Sequence, residues 1–285
     1  MQRFFSLDVE TANPALHSIC QIGIVGFEGN KVFKSWGTLV NPEDYFSRAN
    51  SAIHGITEEQ VVDSPKFPVV AAHLCSLLEG MCVVSHTTFD RSAMRLAFEM
   101  HGLSMPSIQW LDSSRVVRRA WPEFQSKGYG LKNVCEFLGI NFKHHDALED
   151  AKAAGLVLLA AIEHSGVPLS EWIARLDAPR TRQGTSNASK PVVNPDGDWF
   201  GEVLVFTGQL QIPRKIASEQ AAFAGCRVDS NVTKETTILV VGDQDVARLA
   251  GNAKSSKHRK AEDLIAKGQE IRILQESDFE RIVTD

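Results

Sequence analysis

The sequence predicts an α/β protein built from two units. Three observations carry this. Before residue 178, a meander of apolar strands gives way to alternating strands and helices. Residues 178–198, APRTRQGTSNASKPVVNPDGD, lose all hydrophobic periodicity and read as a polar linker. After it, strand–helix alternation resumes within fewer than 90 residues. The full length, 285 residues, is about twice a typical domain of roughly 150. The expected domains are therefore 1–177 and 199–285, joined by the linker 178–198.

Composition narrows the classes. Hydrophobic residues make up 43% and charged residues 23%, which excludes a disordered chain or a fibrous repeat. The longest apolar run, Ala153 to Ile162, is too short to span a bilayer. The N-terminal stretch reaches Asp8 too soon for a signal peptide. A cytoplasmic protein without membrane contact is expected. The five cysteines form no C-x-x-C pair and sit in apolar stretches, so buried reduced thiols are expected. Net charge is −5, and residues 1–177 hold 15 basic and 20 acidic side chains. That balance argues against a general nucleic-acid coat. It does not exclude a nucleic-acid substrate, because acids can serve as metal ligands.

Each element has its own signal. Arg3–Val9 is a compact apolar strand ending in acids. Ile19–Phe27 and Lys31–Val40 flank Glu28-Gly29-Asn30, a hairpin turn. Phe67–Leu78 has helical spacing, Cys82–Ser85 is a short buried strand, and Arg91–His101, Tyr129–Leu138 and Ala147–His164 are helices. Beyond the linker, Val203–Phe206, Arg227–Asp229, Ile238–Val241 and Ile271–Leu274 read as strands. Pro213–Ala224, Ala261–Lys267 and Glu276–Ile282 read as helices.

The chemistry sits at element ends. Strand side chains alternate faces, so Asp8 and Glu10 point the same way. Two acids on one face repel unless a cation joins them, and a hard divalent cation suits oxygen ligands. Taken alone the pair is a weak signal, and a solvated strand end explains it better. Asp90 opens a helix after Ser85-His86-Thr87-Thr88-Phe89, where it also fits a helix cap. Asp146 and Glu149 have capping-box spacing, Asp150 lies in the first turn of a long helix, and His145 stands just before the cap. His144 is either a spare or a surface residue.

Asp8, Glu10, Asp90 and Asp150, in that order with His145 five positions before the last acid, resemble the DEDDh (DnaQ-like, polymerase III epsilon-like) 3′-to-5′ exonuclease family. The likeness covers nearly all of residues 1–165. It takes in Thr11, Ile19-Cys20-Gln21-Ile22-Gly23, His54-Gly55-Ile56-Thr57 and Tyr129-Gly130-Leu131. It implies a ribonuclease H-like fold with a mixed central sheet. It also implies two divalent cations, Mg²⁺ or Mn²⁺, held by Asp8, Glu10, Asp90 and Asp150. His145 would be the general base. Thr11 would contact the terminal nucleotide. Phe89 is a second substrate candidate, or a core aromatic. The substrate implied is nucleic acid, DNA ahead of RNA, degraded to nucleoside monophosphates. One departure is Ser85-His86, where many relatives carry His-Asn. Arg115, Arg118, Arg119, Lys127 and Lys132 cluster in sequence and suit either a phosphate-guiding surface or a solvated face.

Residues 199–285 resemble a BRCT domain, a small α/β fold with a parallel sheet, in Val203–Gly208, Ala224-Gly225-Cys226, Val232–Gly242 and Ser256–Ala261. The tryptophan common in the last helix is absent, and Phe279 is the candidate to fill its place. The resemblance implies docking to DNA or to a replication or repair protein. Thr207, Gly208 and Lys260, with Lys257 as the alternative lysine, would form a phosphate pocket. A basic solvated helix start explains the lysines equally well. The sequence assigns no oligomeric state.

Overall fold

The computed structural model describes residues 2–124, 128–177, 191–242 and 254–284. Lys127 and the linker residues 178–190 lie outside these. Contacts between residues divide the chain into two units. One comprises Met1–Ala12, Leu16–Phe46 and His54–Pro179. The other comprises Arg180–Asp285 with Asn13–Ala15 and Ser47–Ile53.

In the first unit, β1 (Arg3–Thr11), β2 (Ile19–Glu28) and β3 (Lys31–Leu39) form the antiparallel meander. Short helices α1 (Arg48–His54) and α2 (Glu58–Val61) precede α3 (Phe67–Leu78). Then come β4 (Cys82–Ser85), α4 (Phe89–Met100), β5 (Gln109–Asp112) and α5 (Ser113–Ala120). A 3-10 turn, Pro122–Phe124, leads toward α6 (Leu131–Leu138), α7 (Ala147–Ser165) and α8 (Leu169–Asp177). The strand order is β3-β2-β1-β4-β5. β4 pairs parallel with both β1 and β5, so the sheet is mixed. The fold is the expected α/β, ribonuclease H-like one.

Central strand β1 is apolar because it is covered. Phe4, Phe5 and Leu7 are buried, and the Phe4 ring stacks on Phe27 of β2 at 5.1 Å. α7 crosses this sheet, and its Gly155 explains how closely. A Cβ there would sit 2.2 Å from the Phe27 ring. Glycine in a helix interior costs about 1 kcal/mol relative to alanine; here it admits an aromatic ring against the helix backbone.

Sequence and structure differ most at β5 and α5, which hydrophobic pattern did not reveal. The segment SSRVVRRA looks like surface, yet Arg115 and Arg118 are buried. Arg115 Nη2 donates to the Leu176 carbonyl at 3.4 Å, and Arg118 lies over the Tyr129 ring at 5.0 Å. These two arginines are therefore tied into the fold; neither the phosphate-guiding nor the solvated reading holds for them. The thiols are also less uniform than expected. Cys20, Cys135 and Cys226 are buried, whereas Cys75 and Cys82 are only half-buried.

In the second unit, β6 (Val203–Thr207), β7 (Arg227–Asp229), β8 (Ile238–Val241) and β9 (Arg272–Gln275) form a parallel sheet ordered β7-β6-β8-β9. Its helices are α9 (Arg214–Phe223), α10 (Ser256–Ile265) and α11 (Glu276–Thr284). β6 and β8 are buried along their whole length, as strands covered on both faces must be. α10 starts five residues before the expected Ala261, because the Ser255 hydroxyl caps it by accepting the His258 N–H at 3.1 Å. Phe279 is buried edge-on to Phe206 at 5.2 Å. Among the described residues, no single helix is long and apolar enough to cross a membrane.

Candidate active site

Asp8 and Glu10 project from the C-terminal end of β1, opposite Gly23 and Gln21 of β2. Those two β2 residues bring in the third acid. A Cβ on Gly23 would lie 2.1 Å from the Ala147 carbonyl oxygen, so only glycine admits the start of α7. Gln21 Oε1 accepts the Ala147 N–H at 3.0 Å. The Asp146 carboxylate caps the helix by accepting the Leu148 N–H at 3.2 Å. That is the second helical N–H, where a capping box would use the third. Asp150, one turn in, then meets β1. Carboxylate oxygens of Asp8, Glu10 and Asp150 lie within 4.8 Å of one another.

Asp90 approaches the same strand from α4. Its Oδ1 accepts the Val9 N–H at 3.0 Å, on the backbone between the two β1 acids. Asp90 is buried and lies inside the first turn, and the N-cap position belongs to Thr88. The helix-cap explanation for Asp90 is thereby replaced by a cross-link to β1. The preceding loop is fixed from several sides. Ser85 Oγ donates to the Thr87 carbonyl at 2.7 Å, and Thr87 N–H donates to Asp112 at 3.2 Å. The His86 ring spans Ser113 Oγ at 2.9 Å and the Tyr129 carbonyl at 2.7 Å. This support lets Thr87 hold a φ of +92°, strained for a β-branched residue. Phe89 is half-buried at the start of α4.

Both histidines before α7 join the acids. His144 Nδ1 is 2.8 Å from Asp150 Oδ1, and the His145 backbone N–H donates to Asp150 Oδ2 at 2.7 Å. The two rings stack at 3.9 Å, with His145 in the left-handed region at φ +64°. His144, left undecided by sequence, is part of this cluster; its only signal was the doubled histidine. Thr11 is buried, and its carbonyl faces His54 Nε2 at 3.1 Å. Burial, followed by the His145 charge, outweighs that hydrogen bond and pushes the His54 pKa down to about 4.

This donor set suits hard cations. Gathered carboxylates repel and lose solvation unless positive charge joins them, and all offer oxygen. The hydrogen bonds on Asp150 orient it while leaving lone pairs on both oxygens.

In the second unit, Thr207 ends β6 with its hydroxyl 2.6 Å from Ser255 Oγ. Gly208, at φ +76°, accepts from Arg214 Nη2 at 2.7 Å. Lys257 Nζ donates to the Phe206 carbonyl at 3.0 Å, while Lys260 is exposed on α10. Lys254 pairs with Glu262, so the basic run is partly neutralised in space. A cleft of about 500 Å³ takes positive groups from Arg214 and Lys257 and a negative one from Asp229. Burial, with the Arg214 charge, pushes the Lys257 ammonium below its ordinary value. Arg214 was not anticipated, because it lies far from the lysines in sequence.

Carboxylates at the end of the first strand of a 3-2-1-4-5 mixed sheet, met by an acid from a crossing helix, mark a nuclease of the ribonuclease H-like class. Residues 5–158 match the exonuclease (RNase_T) family over more than half the chain, and the chain belongs to it. Curated relatives include a DNA polymerase III PolC-type of Thermotoga maritima, 30% identical over 165 residues. Another is the 3′-5′ exonuclease DinG of Bacillus subtilis, 28% identical over 167 residues. These matches cover 56% and 57% of this chain, but 12% and 18% of those relatives. Among solved structures, Exonuclease X in complex with 5′ overhanging duplex DNA is 23% identical with a TM-score of 0.49. That match covers 60% of this chain and 98% of the other.

Proposed function

We propose that this chain is a metal-dependent 3′-to-5′ exonuclease that removes nucleoside monophosphates from nucleic acid, DNA ahead of RNA. The convergence of Asp8, Glu10 and Asp150, with Asp90 tied to the same strand, carries the reading. The likeness to a DNA polymerase III PolC-type and to the 3′-5′ exonuclease DinG supports both DNA and the direction of attack.

Asp8, Glu10, Asp90 and Asp150 would hold two Mg²⁺ or Mn²⁺ ions. When bound, such ions supply an acidified water and neutralise charge on the phosphate. His145 takes the proton from the attacking water, the task of a general base. Asp150 is kept oriented by its two histidine contacts. Thr11 and Phe89 border the terminal nucleotide.

Residues 1–177 form the catalytic domain in this reading, 178–198 the linker, and 199–285 a BRCT-like docking domain. The parallel sheet order β7-β6-β8-β9 supports the last. Its partner would be DNA or a replication or repair protein, engaged through a phosphate at Thr207, Gly208 and Lys257, with Arg214 beside them. Lys260, exposed on the same helix as Lys257, is the other candidate lysine.

End-labelled single-stranded DNA, recessed duplex DNA and RNA, each with Mg²⁺, Mn²⁺ or chelator, test the reaction beside Asp8→Ala. Metal-dependent ladders shortening from the 3′ end, absent in the variant, are expected. No degradation by a folded protein under either metal overturns the proposal.

A further inference from the structure

The His54-Gly55-Ile56-Thr57 segment has no task in the chemistry above. Its histidine is nevertheless engaged through both ring nitrogens. Nδ1 accepts the Ile56 N–H at 3.0 Å, so that nitrogen carries no proton. The proton sits on Nε2, which donates to the Thr11 carbonyl at 3.1 Å. The two partners fix the tautomer. Protonating Nδ1 would set its N–H against that of Ile56, so the arrangement needs a neutral ring, and burial favours one.

The Thr11 carbonyl is a particular target. The β1–β2 register breaks between Glu10 and Thr11. A bulge disrupts the ladder locally and re-aims the side chains beside it. Here the break follows directly on Glu10: the unpaired residue is Cys20 of β2, and an imidazole 43 residues away in sequence anchors the facing β1 backbone at Thr11. Gly55, at φ +76°, makes the turn that returns the Ile56 N–H to the same ring.

We infer that His54 is a positioning residue: by gripping the Thr11 carbonyl it holds the β1 backbone at the Glu10–Thr11 register shift in the shape that receives the 3′-terminal nucleotide. This rests on the exonuclease reading, and His54 acts through Thr11.

Two substitutions separate the two bonds. Asparagine places an oxygen where Nδ1 stood; His54→Asn keeps the Ile56 contact and loses Thr11. Glutamine places an N–H where Nε2 stood; His54→Gln keeps the Thr11 contact and loses Ile56. KM and kcat are measured on a single-stranded oligodeoxynucleotide with Mn²⁺. Kd for the same strand is measured by fluorescence anisotropy in Ca²⁺, where no turnover is needed. His54→Asn should raise KM and Kd by up to about tenfold, the scale of one hydrogen bond. Its kcat should hold within about twofold, and His54→Gln should stay near wild type in all three. Wild-type KM and Kd in His54→Asn overturn the inference. So does an equal loss in His54→Gln, or a fall in kcat and Tm with KM unchanged. A wild-type chain that degrades nothing defeats the exonuclease reading instead, and the Ca²⁺ binding arm still decides His54.

Discussion

At the end of β1, acids far apart in sequence converge; at the end of β6, cations adjacent in sequence disperse. Asp8, Glu10 and Asp150 come from a strand and a distant helix and put their oxygens within 4.8 Å of one another. Lys254, Lys257 and Lys260 lie at or just before the start of α10 and go three ways. Lys254 meets Glu262, Lys257 meets the Phe206 carbonyl, and Lys260 is exposed. The difference is energetic. Gathering like charges beside a core costs repulsion and desolvation, so a fold that does it has been shaped for a ligand that repays the cost. A solvent-exposed lysine such as Lys260 costs little, and neighbourhood in sequence carries little information.

The acid cluster is where the comparison breaks most easily. Glu10→Gln or Asp8→Ala should drop degradation below detection and abolish any rise in Tm on adding Mn²⁺. In chelator, Glu10→Gln should melt higher than wild type by roughly 1 kcal/mol of relieved repulsion. An unchanged Tm there would mean the acids do not strain one another. His145→Ala should cost about 10²- to 10⁴-fold in kcat, the usual worth of a general base, while keeping the Mn²⁺ response.

Gly23 tests how the cluster is assembled. Its missing Cβ admits backbone of α7, which cannot swing aside as a side chain can. Gly23→Ala should lose about 1–3 kcal/mol of stability as an overpacking change. It should also lose activity beyond what partial unfolding explains, since Asp150 rides on the displaced helix. Activity in proportion to the folded fraction would show that α7 can shift without moving Asp150.

Much of this site was legible because β-strand and helix periods are simple. Asp8 and Glu10 share a face by alternation alone, and Asp150 sits one turn inside a helix that Asp146 begins. Asp90 was ambiguous because capping and ligation favour the same side chain; only its bond to Val9 separates them. α5 hid because Arg115 and Arg118 look like solvent-facing residues until their buried partners are known. The His54 contact joins a strand to the end of a short helix, and no local pattern reports it.

His54 also gives the first unit a pH signature. Stability rises with pH wherever the unfolded chain binds more protons than the folded one. Between about 4 and 6.5 the unfolded imidazole is protonated while the folded ring stays neutral. Stability therefore falls as pH drops from 6.5 toward 4, and the loss levels off below. Allowing for the ring's partial exposure, this amounts to about 2 kcal/mol. Melting curves across that window should be steeper in pH for wild type than for His54→Gln. Equal slopes would mean the ring is protonated in the fold.

The dispersed lysines yield the smallest and most selective effect. Lys257 and Arg214 both border the cleft beside β6, where burial and then the Arg214 charge raise the cost of the Lys257 charge. An anion seated between them relieves that cost, so a phosphate should bind there and nowhere along the exposed side of α10. Lys257→Ala should weaken binding of a 5′-phosphorylated duplex by up to about tenfold, the scale of a charge-assisted hydrogen bond. Lys260→Ala, one turn along the same helix, should change it by less than about twofold. Equal losses would reduce the lysines to a diffuse basic surface. They would also remove the distinction between a built site and a charged face on which the second unit's docking role depends.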